Sequence, residues 1–302
     1  MAPTNKATGK AVVARIYYLP FRDNPFARRL PEYQGRSVDG EDNERGTQED
    51  GTFRIVGLPG RAIVGGWVGM DGNTYRRGIG ASEIQGMDKS GWFPTYGYMP
   101  AGRNWPDVLK EINPREGTEE LRCDLVFDPG QTIHVSLIDR NGKPVDGCTA
   151  GGWPGGNNSR PKSSTFDIIN LSLGEERPIL IRQEKLQVGK FLILDFNDKT
   201  PSSMTIVLEP CALVRGRIVD QDGIGVRGTV QGRPEPGGDF WPSLSPSVSQ
   251  RDGTFQVAVP PGCRYSVSVN AHGFERGFVN DFPVESGKTI DVGVIKLRRD
   301  GR

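Results

Sequence analysis

The chain has 302 residues, and Lys and Arg (38) nearly balance Asp and Glu (37), for a net charge of +1. That balance provides no strong field for nucleic acid or an anionic membrane, and no basic reading module is present. Apolar residues make up only 35%, while 41 Gly and 23 Pro together exceed one residue in five; they fall between short β-branched runs, the pattern of an all-β protein with many turns.

No apolar run approaches the roughly 18 residues needed to span a bilayer. The opening MAPTNKATGK lacks the apolar core of a signal peptide. The first strand-like run is AVVARIYYL (11–19), and its abrupt start favours a piece of a longer exported chain, with a cytoplasmic protein as the other reading. An acidic stretch, VDGEDNERGTQED (38–50), reads as a solvated loop, with weak cation binding as the alternative. GTFRIVGLPG (51–60) follows, in which Phe53 and Ile55 share one face of a predicted strand.

The segment SGWFPTYGYMPAGRNWPDV (90–108) interrupts this pattern, with Trp92, Phe93, Tyr96, Tyr98 and Trp105 inside fourteen residues. Exposed aromatic faces bind sugar rings or protein partners, whereas the plainer reading has the loop packing its own aromatics onto the sandwich. WPDVLKEI (105–112), closed by Asn113-Pro114, is the best helix candidate. LRCDLVF (121–127) then alternates, placing Leu121, Cys123, Leu125 and Phe127 inward.

The next two stretches align without a gap: LVFDPGQTIHVSLIDRNGKPVDG (125–147) over IVLEPCALVRGRIVDQDGIGVRG (206–228). Their Asn-Gly and Asp-Gly pairs supply the positive φ of hairpin turns. DQDG also resembles the start of a calcium loop, but IGVRG adds no further carboxylate, so a turn explains it better. The Thr-Phe strand recurs as STFDIINLSLG (164–174) and GTFQVAVPPG (253–262). After the third copy, Tyr265, Val267 and Val269 point inward, and TIDVGVIKL (289–297) is the last strand. Trp153, in the glycine-rich CTAGGWPGGNNS, and Trp241 lie in loops at the same stage of successive repeats. CTAGGWPGGNNS has no Lys-Ser/Thr or helix after it, so it is no phosphate cradle.

The expected domains are therefore 1–128, carrying the aromatic loop at about 88–118, then 129–210 and 211–302. Joins at Asp128-Pro129 and Glu209-Pro210 leave no room for flexible linkers. The expected fold is all-β, tandem Greek-key or transthyretin-like β-sandwich domains with very little helix. Asp252-Gly253, Phe255, Pro260-Pro261-Gly262, Tyr265 and Gly273-Phe274 resemble the pattern of carboxypeptidase regulatory-like domains. The likeness extends to Asp50-Gly51, Phe53 and Leu58-Pro59-Gly60, and weakens in the middle copy, which keeps only Phe166. Those domains are transthyretin-like sandwiches of bacterial surface and periplasmic proteins, and the resemblance implies a non-catalytic scaffold or binding role.

Only His134 and His272 are available for imidazole chemistry, and no GxSxG elbow occurs. The scattered Cys123, Cys148, Cys211 and Cys263 lack metal-site spacing, and one disulfide among them stays open. No catalytic residue, metal site or cofactor is therefore expected. An acid/base pair assembled from different domains is the one arrangement that spacing does not address. The candidate ligand or partner contacts are Trp92, Tyr96, Tyr98, Trp105, Trp153 and Trp241, for a polysaccharide or another protein domain, with no nucleic acid and no membrane span. The leading function is a structural, adhesive or spacer module of an exported bacterial multidomain protein; the alternative is a carbohydrate-binding module using the aromatic loop, and a hydrolase ranks last.

Overall fold

The computed structural model describes residues 3–29, 47–68, 75–87, 93–95, 106–152, 163–235, 244 and 247–300. The chain divides into two compact units, one of Met1–Thr132 with Ile169–Ser172, the other of Ile133–Ile168 with Leu173–Arg302. Among the described residues helix is confined to one turn, Pro25–Arg28, and a 3-10 turn, Ala81–Glu83. None is long and apolar enough to cross a membrane.

The first unit contains β1 (Thr4–Asn5), β2 (Arg15–Pro20), β3 (Ala62–Trp67), β4 (Val108–Ile112) and β5 (Val126–Phe127). Strands β2, β3 and β4 form an antiparallel sheet with β3 at the centre, and β1 pairs in parallel with β5. The core between them holds Ile16, Tyr18, Val64, Val108, Leu125 and Phe127.

The remaining strands fall into two successive sets, referred to below as the second and third sandwiches. The second comprises β6 (Gln131–Ile138), β7 (Thr149–Gly151), β8 (Thr165–Leu171), β9 (Glu175–Gln183), β10 (Val188–Phe196), β11 (Ser203–Val207) and β12 (Glu209–Pro210). The third comprises β13 (Ala212–Val219), β14 (Thr229–Glu235), β15 (Ser247–Val248), β16 (Thr254–Val259), β17 (Arg264–Asn270), β18 (Gly277–Pro283) and β19 (Thr289–Lys296). Both build a three-stranded sheet on one plan: the first strand is central, the last lies parallel beside it, and the Thr-Phe strand takes the other side. The orders are β11-β6-β8 and β19-β13-β16. Two four-stranded sheets accompany them, β12-β10-β9-β7 and β15-β14-β17-β18, and side chains of β14 and β17 share one core with those of β13 and β16. Period-two side chains explain the burial: Ile133, Val135 and Leu137 are buried between exposed neighbours, as are Phe255 and Val257 around Gln256.

Three sequence expectations are overturned here. The helix expected at 105–112 is strand β4 over Val108–Ile112, paired with β3 from Gly66↔Val108 to Ala62↔Ile112. So short a helix would be marginal by itself. The open edge of β3 instead takes up its backbone groups, and the approach is close: a Cβ on Gly66 would lie 2.7 Å from the Phe127 ring and 3.2 Å from Val108. The span 88–118 is consequently not all loop. Second, the first Thr-Phe copy forms no strand between Thr52 and Leu58. Third, Leu121 is 48% exposed although Cys123, Leu125 and Phe127, in phase with it, are buried.

Candidate functional site

Trp92, Tyr96, Tyr98, Trp105, Trp153 and Trp241, the contacts expected from the sequence, all lie outside the described residues. The described piece of their loop, 93–95, is packed down. Phe93 is buried and meets Phe21 edge-on at 6.4 Å. The Arg22 backbone N–H donates to the Pro94 carbonyl at 2.8 Å, and its Nε donates to the Thr95 carbonyl at 3.1 Å. The Arg61 guanidinium sits 3.9 Å from the Phe21 ring centroid and forms an ion pair with Glu111.

The chemical candidates resolve into surface and core features. His134 Nδ1 lies 2.6 Å from Asp167 Oδ1, on adjacent strands and with both side chains more than half exposed. Such a pair is screened by water. His272 is likewise exposed. All four cysteines are free thiols; burial pushes Cys148, Cys211 and Cys263 up to about 11, which makes them poor nucleophiles. Among the described residues, no group of three or more His, Cys, Asp or Glu could hold a metal. In the calcium-like turn, Asp220 Oδ1 accepts from the backbone N–H groups of Asp222 and Ile224, at 3.0 and 2.9 Å. Asp139 does the same with Asn141 and Lys143. These carboxylates hold turns.

A third version of that turn sits at the start of the chain. Asn5 Oδ1 accepts from Ala7 and Thr8 N–H, and the Asn5 carbonyl accepts from Gly9 N–H. The repeated Asp-Gly-Thr-Phe is equally local. Asp50 Oδ1 accepts from Thr52 N–H at 2.8 Å and from its hydroxyl at 2.7 Å; Asp252 Oδ1 accepts from Thr254 at 2.9 and 2.7 Å. Gln48 and Gln250 donate their N–H groups to the Thr52 and Thr254 carbonyls, and Gly51 and Gly253 sit at φ 78° and 84°.

Just before each copy lies a contact that the sequence reading missed. The Thr47 hydroxyl accepts from Ala14 N–H at 3.0 Å and donates to the Val12 carbonyl at 3.2 Å. The Ser249 hydroxyl does the same with Gly228 and Val226, at 2.8 and 3.3 Å. Each buried hydroxyl thus clamps the stretch after the first turn. Extending the Asp-Gly-Thr-Phe alignment three residues back, to Thr47-Gln48 and Ser249-Gln250, would have found it.

The two copies differ in what covers them. In the third sandwich Phe255, Val257, Ala258 and Val259 are buried. In the first, Phe53 and Ile55 are half-buried and Val56 is 60% exposed. A groove of about 1150 Å³ opens along this segment. Residues 52–59 and 118–123 line it, together with Tyr18, Val64 and Ile112. The Tyr18 hydroxyl accepts from Leu58 N–H at 2.8 Å and lies 3.0 Å from the Leu58 carbonyl. Its ring lies so close under Gly57 that a Cβ there would sit 2.9 Å from it. Gly60 N–H donates to the Pro114 carbonyl at 2.7 Å. Both ends of the exposed segment are therefore fastened.

The fold and this site define a chain of all-β sandwich units, one of which carries an open groove. No protein-family model and no curated protein matches the chain. Similar solved structures include a streptococcal ancillary pilin, at 15% identity over 65% of this chain and 71% of that one, with a TM-score of 0.24. The Bacillus anthracis TIE protein is 11% identical over 98% of this chain and 49% of that one, with a TM-score of 0.26. Shaft pilin SpaA from Lactobacillus rhamnosus GG is 9% identical over 57% and 98%, also at 0.26. Similarity of this degree does not bear on activity.

Proposed function

We propose that the chain is a non-catalytic structural or adhesive spacer, part of an exported bacterial multidomain protein, organised as sandwiches 1–128, 129–210 and 211–302. The observation that carries this reading is the join between the second and third sandwiches. Pro210 pairs with Val188 in the sheet of the second, the Cys211 N–H donates to the Gln187 carbonyl at 2.7 Å, and β13 starts at the next residue. Around the join, Glu209 forms ion pairs with Lys190 and Arg140, which hold its carboxyl below the usual range. Arg140 also donates to the Ser286 hydroxyl, which donates to the Pro210 carbonyl. Leu180 and Phe191 of the second sandwich belong to the core of the third, and Phe191 N–H donates to Pro261 in the Pro-Pro-Gly turn. A join with sheet pairing, ion pairs and a shared core transmits force and orientation, as a spacer requires.

The test is hydrogen exchange through a denaturant series. Strands β9–β10 and β13–β17 should lose protection together, and Phe191→Ala should separate them. Independent unfolding of the wild-type strands would defeat the spacer reading. Carbohydrate binding by Trp92, Tyr96, Tyr98, Trp105, Trp153 or Trp241 is the alternative; glycan-array binding lost on Trp→Ala substitution would establish it.

A further inference from the structure

Asn141 is the one asparagine in this sequence that glycine follows. It stands at the tip of the turn after β6, where Ile138 bridges Pro144. Asn141, Gly142 and Lys143 are exposed, and a Cβ on Gly142 would meet nothing within 4 Å. Other asparagines use their side chains in the fold. Asn5 Oδ1 accepts from Ala7 and Thr8, Asn24 Oδ1 from Phe26 and Ala27, and Asn197 Oδ1 from Lys199. Among the described residues, Asn141 lends the turn its backbone N–H, and no hydrogen bond holds its side-chain amide. The residue before it reaches the neighbouring sandwich: Arg140 donates to Glu209 at 3.0 Å and to the Ser286 hydroxyl at 2.8 Å. The Ser286 hydroxyl and the Gly287 N–H both donate to the Pro210 carbonyl at 3.1 Å.

We propose that Asn141 is a site of covalent modification, at which deamidation loosens the join between the second and third sandwiches. The Gly142 nitrogen attacks Asn141 Cγ and the Cγ–Nδ2 bond breaks. The side-chain nitrogen leaves as ammonia, carrying the proton that Gly142 gives up. Water then opens the five-membered imide at either carbonyl, so water is the one co-reactant. One product is aspartate; in the other, isoaspartate, the main chain runs through the side-chain carbons and is one methylene longer. Glycine leaves its nitrogen unshielded, and an amide without a partner is free to turn towards it. One hydrogen bond has to open first, from Gly142 N–H to the Asp139 carbonyl at 3.0 Å, at an exposed tip where local opening is easiest. The two products differ in what they do to the turn. The third sandwich builds the same turn with aspartate: Asp220 Oδ1 accepts from Asp222 and Ile224 N–H, and Gly223 sits at φ 80° against 78° for Gly142. Aspartate at 141 therefore fits. An added methylene does not, because Asp139 Oδ1 accepts from both Asn141 and Lys143 N–H, at 2.8 and 2.9 Å, and that spacing would be lost. Arg140 lies inside this bracket, so its contacts with Glu209 and Ser286 are lost with it. The effect on the join rests on the spacer reading; the modification itself does not.

The experiment incubates the intact chain in mildly alkaline buffer and maps its fragments by mass spectrometry. The fragment containing Asn141 should gain one dalton and split into aspartyl and isoaspartyl forms, while those containing Asn5 and Asn197 stay unchanged. Asn141→Gln, whose longer side chain disfavours the ring, should show no gain. No gain at Asn141 in the time that a synthetic peptide of residues 136–146 converts completely would overturn the proposal. Equal gain at Asn5 and Asn197, or in Asn141→Gln, would overturn it as well, since neither needs the Asn-Gly turn. Hydrogen exchange at Gly287 then reads the join. The incubated chain should exchange there roughly two- to fivefold faster than the fresh one, the loss expected of one exposed ion pair and its hydrogen bond. Arg140→Ala should reproduce that increase and Asn141→Asp should not. Equal exchange in the fresh and incubated chains would remove the link to the join, even with the mass change in place.

Discussion

Residues 47–60 and 249–262 use nearly the same words and make nearly the same local bonds, yet the apolar side chains of one copy are half-buried and those of the other are core. The aspartate bracket, the glycine at positive φ and the hydroxyl clamp are common to both. Phe255 is 5% exposed with β13 paired alongside, whereas Phe53 is half-buried over a groove. The motif thus makes the turn and presents the strand. Whether the strand becomes core is decided by its partner, which comes from over thirty residues away. The following turn diverges for the same kind of reason. In the third sandwich Pro260-Pro261-Gly262 packs on the second: a Cβ on Gly262 would lie 2.1 Å from the Phe191 carbonyl, and one on Gly189 would lie 2.8 Å from Pro260. In the first, Leu58-Pro59-Gly60 is held by Tyr18, Asn24 and Pro114 of its own unit.

The largest difference should appear when each phenylalanine is truncated. Phe255→Ala should cost about 3–5 kcal/mol, the usual range for a buried aromatic, and Phe53→Ala only about 1–2 kcal/mol. Denaturant midpoints would check this, and equal losses would show that Phe53 is as covered as its counterpart.

A pH effect belongs to the first sandwich. Asp107, paired with Arg77 at 3.0 Å and accepting from Val68 N–H, is pushed up to about 6 by burial, which outweighs the attraction of Arg77. The folded state therefore holds a proton that the unfolded state releases. Stability should fall as pH rises from about 4 to 6, by up to about 3 kcal/mol, and Asp107→Asn should flatten that slope. Thermal unfolding across that range provides the measurement.

The smallest effect concerns the clamps. Ser249→Ala leaves the Gly228 N–H without its acceptor, and Thr47→Val does the same to Ala14, each at about 1–2 kcal/mol. Local hydrogen exchange at 226–228 and 12–14 should rise by similar amounts if the two clamps are equivalent, and unequal changes would break the parallel.

Much of the architecture was legible because β-structure writes itself in alternation and in turn residues. Asp139, Asp220 and the Asp-Gly-Thr-Phe copies could be read as turns, since each bonds to a backbone no more than four residues away. Tyr265, Val267 and Val269 are fully buried, as their spacing requires. The site was less legible. Aromatic density drew attention to Trp92–Trp105, while the groove is lined by residues of ordinary type that no sequence pattern marks. WPDVLKEI was misread because its apolar spacing suits either a short helix or a strand, and only the open edge of β3 decides between them.

By itself the sequence determined the all-β class, the turns and the inward phase of most strands, because these depend on φ preferences and on a side-chain period of two. Tertiary structure alone decided which strands meet. The parallel pairings β1–β5, β6–β11 and β13–β19 join segments at opposite ends of their repeats, and no local preference encodes such a contact.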